Sequence, residues 1–168
     1  MNDGYLDVAV RSGDTDGIDS NGNVYIKGGT IVTRGSPGTT GSNMSTGLDV
    51  DGTCSMTGGT LIAFNNLEKA PSTGSGIYYA ATSGNSSGGM TPGGAGFGPR
   101  MAVSTYSFAA GNYTLTGNGL DISFTNDYQY GSFLIYSSSI ISGSTYTLSR
   151  GGTSVLSWTQ SSTSVTIS

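Results

Sequence analysis

An all-β fold is predicted for this 168-residue chain: a short solenoid of parallel coils followed by an antiparallel, β-sandwich-like region. Three observations predict it. Residues 17–32 are written a second time, with the Gly, Asp and Gly-Gly-Thr positions kept, as residues 47–62, thirty positions later throughout. Apolar residues fall in short alternating runs bounded by Gly, Asn and Ser, with no stretch at helical spacing. The 29 glycines, set against only 10% charged residues, suit turns and strands. A fixed period of this length, with Gly, Asp, Gly and Gly-Gly-Thr in register, marks repeats that bury their apolar faces only by stacking on one another.

Residues 1–66 form the coil region. Aligning Asp3-Gly4-Tyr5-Leu6 with Gly28-Gly29-Thr30-Ile31 places part of an earlier coil at residues 1–10. That strand has an open edge, so the expectation is either that the chain is a piece of a longer protein with further coils upstream or that something covers the edge, a further copy of the chain being one candidate. In Val24-Tyr25-Ile26 and Cys54-Ser55-Met56, strand alternation turns residues 24, 26, 54 and 56 inward and 25, 27, 55 and 57 outward. The pairs Gly28-Gly29 and Gly58-Gly59 supply the bend into the next strand. Residues 35–43 are a loop that can vary without disturbing the stack.

Residues 67–100 are a Gly/Ser/Pro-rich connecting segment, densest in glycine at 84–99. Residues 101–168 are the antiparallel region. Strands are predicted at 112–116, 120–124, 132–136, 145–148, 154–158 and 164–167, with turn signals at Gly117-Asn118-Gly119 and Gly151-Gly152. Leu120, Ile122 and Phe124 alternate with Asp121 and Ser123, so one face is buried and the other wet. This region caps the coils.

The charge pattern excludes several functions. Net charge is −4, and seven of the nine aspartates precede residue 52, so no basic stripe exists to bind nucleic acid. No Lys or Arg lies between Arg100 and Arg150, and a surface so neutral suits neutral polymers or other copies of the chain. The absence of histidine removes Ser-His-Asp triads and His metal ligands. Cys54, the single cysteine, stands where the first repeat has Val24 and is expected to be a small buried residue. No apolar run is long enough to span a membrane, and the first residues do not read as a signal peptide.

Asp14, Asp16, Asp19, Asp49 and Asp51 are the candidate metal ligands. Coils stacked in register bring Asp19 and Asp49 to about 5 Å, where two carboxylates repel by roughly 3 kcal/mol at an effective dielectric of about 20. Such a stack needs a cation, hydrogen bonds or a raised pKa. Hard oxygen donors on turns suit calcium; the alternative is that these aspartates cap turns by accepting backbone N–H groups. A lyase would need a base from Arg11, Lys27 or Arg34, and identical stacked aspartates are a poor way to separate an acid from a base, so no enzyme activity is expected. Candidate sugar contacts are Tyr25 beside Lys27, turned outward by alternation, and Tyr78 and Tyr79 near loop-like segments. Phe124, Phe133 and Trp158 are expected in the core.

The two Gly-Ile/Leu-Asp-x-Asn/Asp-Gly-x5-Gly-Gly-Thr copies carry a resemblance together with Ala70-Pro71-Ser72, Ser123-Phe124-Thr125, Tyr128, Ser137-Ser138 and Gly143-Ser144-Thr145-Tyr146-Thr147-Leu148 before Gly151-Gly152. Residues 12–152 resemble the C-terminal half of a secreted bacterial family of carbohydrate-binding, right-handed parallel β-helix proteins, similar in shape to pectate lyases. The resemblance implies an extracellular or cell-surface protein that binds plant polysaccharide without strong lyase activity and holds calcium. The chain departs from that pattern in lacking the N-terminal coils, in its Gly-rich insertion at 84–99 and in its tail after 152. The rival expectation is a structural protein whose copies join end to end through the open edge into a fibre or surface layer.

Overall fold

The computed structural model describes residues 1–13, 15–37, 45–65, 67–82 and 106–168. Among them the fold is all-β, with no helix long and apolar enough to cross a membrane. The strands are β1 (Tyr5–Ala9), β2 (Ile18–Ser20), β3 (Val24–Ile26), β4 (Thr30–Arg34), β5 (Leu48–Val50), β6 (Cys54–Met56), β7 (Thr60–Phe64), β8 (Ser72–Thr73) and β9 (Tyr78–Thr82). After them come β10 (Gly111–Gly117), β11 (Leu120–Asn126), β12 (Phe133–Ser137), β13 (Thr145–Arg150), β14 (Thr153–Thr159) and β15 (Ser164–Ile167).

The two written repeats pair strand by strand. β2, β3 and β4 lie parallel to β5, β6 and β7, with Ile18 opposite Leu48, Val24 opposite Cys54 and Thr30 opposite Thr60. Each residue therefore meets its own repeat partner. β1 joins β4 with Tyr5 opposite Thr30 and Leu6 opposite Ile31, the register that the Asp3-Gly4 alignment implies. The glycine pairs are needed for two different reasons. A Cβ on Gly58 would sit 2.5 Å from the Lys27 carbonyl oxygen of the neighbouring repeat, whereas Gly59 holds φ at 83°, where a side chain is strained.

A six-stranded sheet, in the order β1-β4-β7-β12-β9-β15, is the centre of the molecule. Both of its faces are covered, which is why β7 and β12 read as unbroken apolar runs, Leu61-Ile62-Ala63-Phe64 and Phe133-Leu134-Ile135-Tyr136. On one face Leu61, Ala63, Leu134 and Tyr136 pack with Ile26, Leu48, Val50, Cys54 and Met56 from the small parallel sheets β2-β5 and β3-β6-β8. On the other, Ile62, Phe64, Phe133 and Ile135 pack against a four-stranded antiparallel sheet, β11-β10-β13-β14. Phe64 is the hub of this second core, its ring 5.5 to 5.8 Å from those of Tyr130, Phe108, Phe133 and Phe124.

All six strands predicted after residue 101 are present, but they divide between two sheets. β12 and β15 leave the antiparallel region for the central sheet, where β12 is inserted antiparallel between β7 and β9. Residues 67–82, read from sequence as connecting segment, carry β8 and β9 and bury Leu67, Ile77, Ala80 and Ala81. Leu67 bridges to Leu48 and β8 pairs with β6, so these residues extend the two small parallel ladders. The glycine-rich stretch at 84–99 lies outside the described residues.

Candidate functional site

The acidic turn is built by the pairing of β2 with β5, which puts Asp19 directly opposite Asp49. Asp16 precedes β2, and its Oδ1 accepts the Thr46 backbone N–H and, at 2.8 Å, the Thr46 hydroxyl. These bonds span thirty residues, so Asp16 ties its own repeat to the next one instead of capping its own turn. Asn23 does the same for the next turn, its Oδ1 taking the Thr53 N–H at 2.7 Å. Asp51 is exposed, with its backbone carbonyl accepting from Lys69 Nζ at 2.8 Å. Asp14 lies outside the described residues.

Asp49 carries the consequence of the stacking. Its carboxyl is pushed up from 3.8 to about 6, first by burial, then by a hydrogen bond to and the charge of Glu68, and further by Asp16 and Asp19. Of the three ways to relieve the predicted repulsion, a hydrogen bond, here to Glu68, and a raised pKa are both present at Asp49, and Asp19 itself is the smallest of the causes of the shift. Glu68 was missed by sequence reading. It follows the Leu48–Leu67 bridge, its N–H donates to the Leu48 carbonyl at 2.9 Å, and nothing in the thirty-residue repeat announces it. Among the described residues, which do not include Asp14, no group of three Asp, Glu, Cys or His side chains is placed to hold a metal ion.

The candidate sugar contacts are placed apart. Tyr25 lies in β3 with 48% of its surface exposed, and Lys27, just beyond the strand, is exposed on the same side. Tyr78 and Tyr79 lie within β9 and not in a loop, so alternation sends them to opposite faces of the central sheet. Tyr78 packs on the aromatic core. Tyr79 packs on the repeat core, its ring centroid 4.6 Å from that of Tyr136, and burial raises its pKa. Of the four, Tyr25 and Lys27 are the pair presented to solvent.

Arg34, considered above as a base, is fully buried. It is paired with Asp7, its Nε donates to Asn126 Oδ1 at 2.6 Å, and its guanidinium lies 5.4 Å from the centre of the Phe124 ring. These contacts clamp the antiparallel sheet to β4 and commit Arg34 to the core. Arg11 is at the surface, 3.6 Å from Asp127.

A second surface was not recognised from sequence. The outer face of the four-stranded sheet is a field of hydroxyls in cross-strand pairs: Thr114 with Ser123 at 3.3 Å, Thr145 with Thr159 at 3.0 Å and Thr147 with Ser157 at 3.3 Å, beside Thr125 on Asn112 at 2.9 Å. Its signal was present as the alternations Thr114-x-Thr116, Thr145-x-Thr147 and Ser157-x-Thr159. What the sequence lacked was the pairing that aligns them. Comparison with family models, with curated proteins and with solved structures finds no match.

Proposed function

We propose that this chain is a non-catalytic extracellular module that binds a neutral polysaccharide, and that its thirty-residue repeats are coils of a short β-helix. The observation that carries the reading is the hydroxyl field on the antiparallel sheet. Its rows are set by strand spacing, about 4.8 Å across and about 6.8 Å along the strands, so it offers hydrogen bonds at regular intervals to a ligand that is itself periodic. Hydroxyls act as both donor and acceptor, and each cross-strand pair can exchange its mutual bond for bonds to sugar hydroxyls without stranding a polar group. Asp121 is the one charged side chain on the wet faces of β10 and β11, so docking a neutral polymer desolvates little charge. Tyr25 and Lys27 add an exposed aromatic face and a donor on a separate surface.

The test is retention on a panel of insoluble neutral polysaccharides. The unmodified chain is expected to be retained by at least one of them, and Thr116→Val with Thr147→Val, which removes two adjacent hydroxyls and keeps β-branched shape, is expected to weaken retention about tenfold. Tyr25→Ala gauges the contribution of the other surface. Passage of the unmodified chain through every polymer unretained would end the proposal.

A further inference from the structure

We infer that copies of this chain join head to tail, β15 of one beside β1 of the next, into a filament that does not close. Among the described residues β1 and β15 are the two outer strands of the six-stranded sheet, each paired on one side only. Their polarity is compatible. β1 is parallel to β4 and β7; β12 reverses direction and β9 reverses it again, and β15 is parallel to β9. The two open edges therefore run the same way, and a second copy brought up by translation continues the sheet with a parallel pair.

The backbone groups on offer can be named. Thr30 donates to the Gly4 carbonyl and Val10 donates to the Arg34 carbonyl, so residues 4, 6, 8 and 10 spend their backbone groups on β4. Tyr5, Asp7 and Ala9 then direct N–H and C=O outward. Tyr79 donates to the Thr163 carbonyl, so by the same alternation Ser164 and Thr166 face outward from β15.

The second layer agrees with the first. β11 stands over the β1 end, where the Tyr5 hydroxyl donates to the Ser123 carbonyl at 3.1 Å. β14 stands at the other end, with Trp158 against Phe133 and the following Gln160 donating to the Tyr79 carbonyl at 2.9 Å. β11 and β14 are the outer strands of a sheet of four alternating strands, so they run in opposite directions. The same translation sets β14 beside β11 antiparallel, which continues that sheet as well. Neither β14 nor β15 carries Lys, Pro or any charge to discourage pairing, and the Asp7 carboxylate on β1 is already paired with Arg34. Tyr5 and Leu6 on β1 and Val155 on β14 are exposed large apolar side chains at these two ends. The joint uses two different surfaces, so it is heterologous, and because successive copies are related by displacement along the sheet and not by a closing rotation, it propagates.

The experiment is sedimentation and electron microscopy of the full chain with two edge variants. Ala9→Pro and Thr166→Pro each remove one outward donor and leave the inward ladder intact. The unmodified chain is expected to form unbranched filaments as concentration rises, and each variant alone is expected to stay monomeric. An equimolar mixture is expected to stop at a one-to-one dimer, because one intact β15 and one intact β1 remain between them. Protection of Cys54 from a thiol reagent reports that each variant is folded. Should a proline variant lose that protection, Ala9→Lys and Thr166→Lys, which keep every donor, replace the pair and are expected to raise the concentration needed for assembly at least tenfold. A monodisperse monomer for the unmodified chain at high micromolar concentration overturns the inference, as would folded edge variants that assemble like the parent. A mixture of folded monomeric variants that yields no dimer also overturns it.

Discussion

Asp49 shows how a repeat sets up its own electrostatic problem. Stacking places it opposite Asp19, and Glu68 arrives from outside the repeat to share a hydrogen bond with it. Because its pKa is raised in the native state, the folded chain holds a proton there that the unfolded chain has released between pH about 4 and about 6. Native stability from this group is therefore greatest at the acid end of that window and falls as pH rises through it. Asp49→Asn, which keeps the shape and removes the titration, is expected to raise the melting temperature at pH 7 and to match the parent near pH 4. A variant less stable than the parent at pH 7 would mean that the carboxylate is needed charged. Calcium titration of both proteins separates a shared proton from a bound cation, since only a cation held by the native state raises the parent's melting temperature with its concentration.

Elements here are fixed by close backbone approach as much as by side chains. The bend before β7 can be made only because Gly58 lies against the Lys27 carbonyl and Gly59 holds a positive φ. Gly58→Ala is expected to cost about 2 kcal/mol or more, because the atoms it strikes are backbone and cannot step aside. Gly22→Ala, at a position with open space around its Cβ, is the control and is expected to be nearly neutral. Equal melting temperatures for the two would contradict the repeat contact. The hairpin between β10 and β11 follows local chemistry in the same way. Asn118 and Gly119 take φ of 42° and 83°, the pairing of positive angles that suits the twist of two antiparallel strands.

At the scale of the whole molecule, the central sheet ties the two ends of the sequence into one structure. β12 lies between β7 and β9, so the parallel repeats reach their third strand only through a segment from the antiparallel region. Phe64 and Arg34, both from repeat strands, are buried in contacts with β11 and its surroundings. Unfolding is therefore expected to be a single transition in which Trp158 fluorescence and Cys54 protection are lost at the same denaturant concentration. Trp158 reports the aromatic core; Cys54, buried and with its thiol pushed up to about 11, reports the repeat core. Two separated midpoints would show instead that the two regions are stable without each other.

What the amino-acid sequence determined alone is what depends on neighbours in the chain or on a repeat: the strands at 24–26, 30–32, 54–56 and 60–62 and the six after residue 101, though not β8 and β9, the inward turn of Cys54 and Met56, the register of residue 18 with 48 and of residue 5 with 30, and the hairpin at Asn118-Gly119. These follow because period and alternation are local, and a copied sequence specifies its own partner. Tertiary structure decided which sheet each later strand joined, the insertion of β12, the inward turn of Tyr79, the company of Asp49 with Glu68 and the alignment of hydroxyls on the outer face. The run Phe133-Leu134-Ile135-Tyr136 announces a strand buried on both faces, yet it matches any apolar neighbour on either side. The choice of β7 and β9 rests on which edges are left free when the rest of the core has packed.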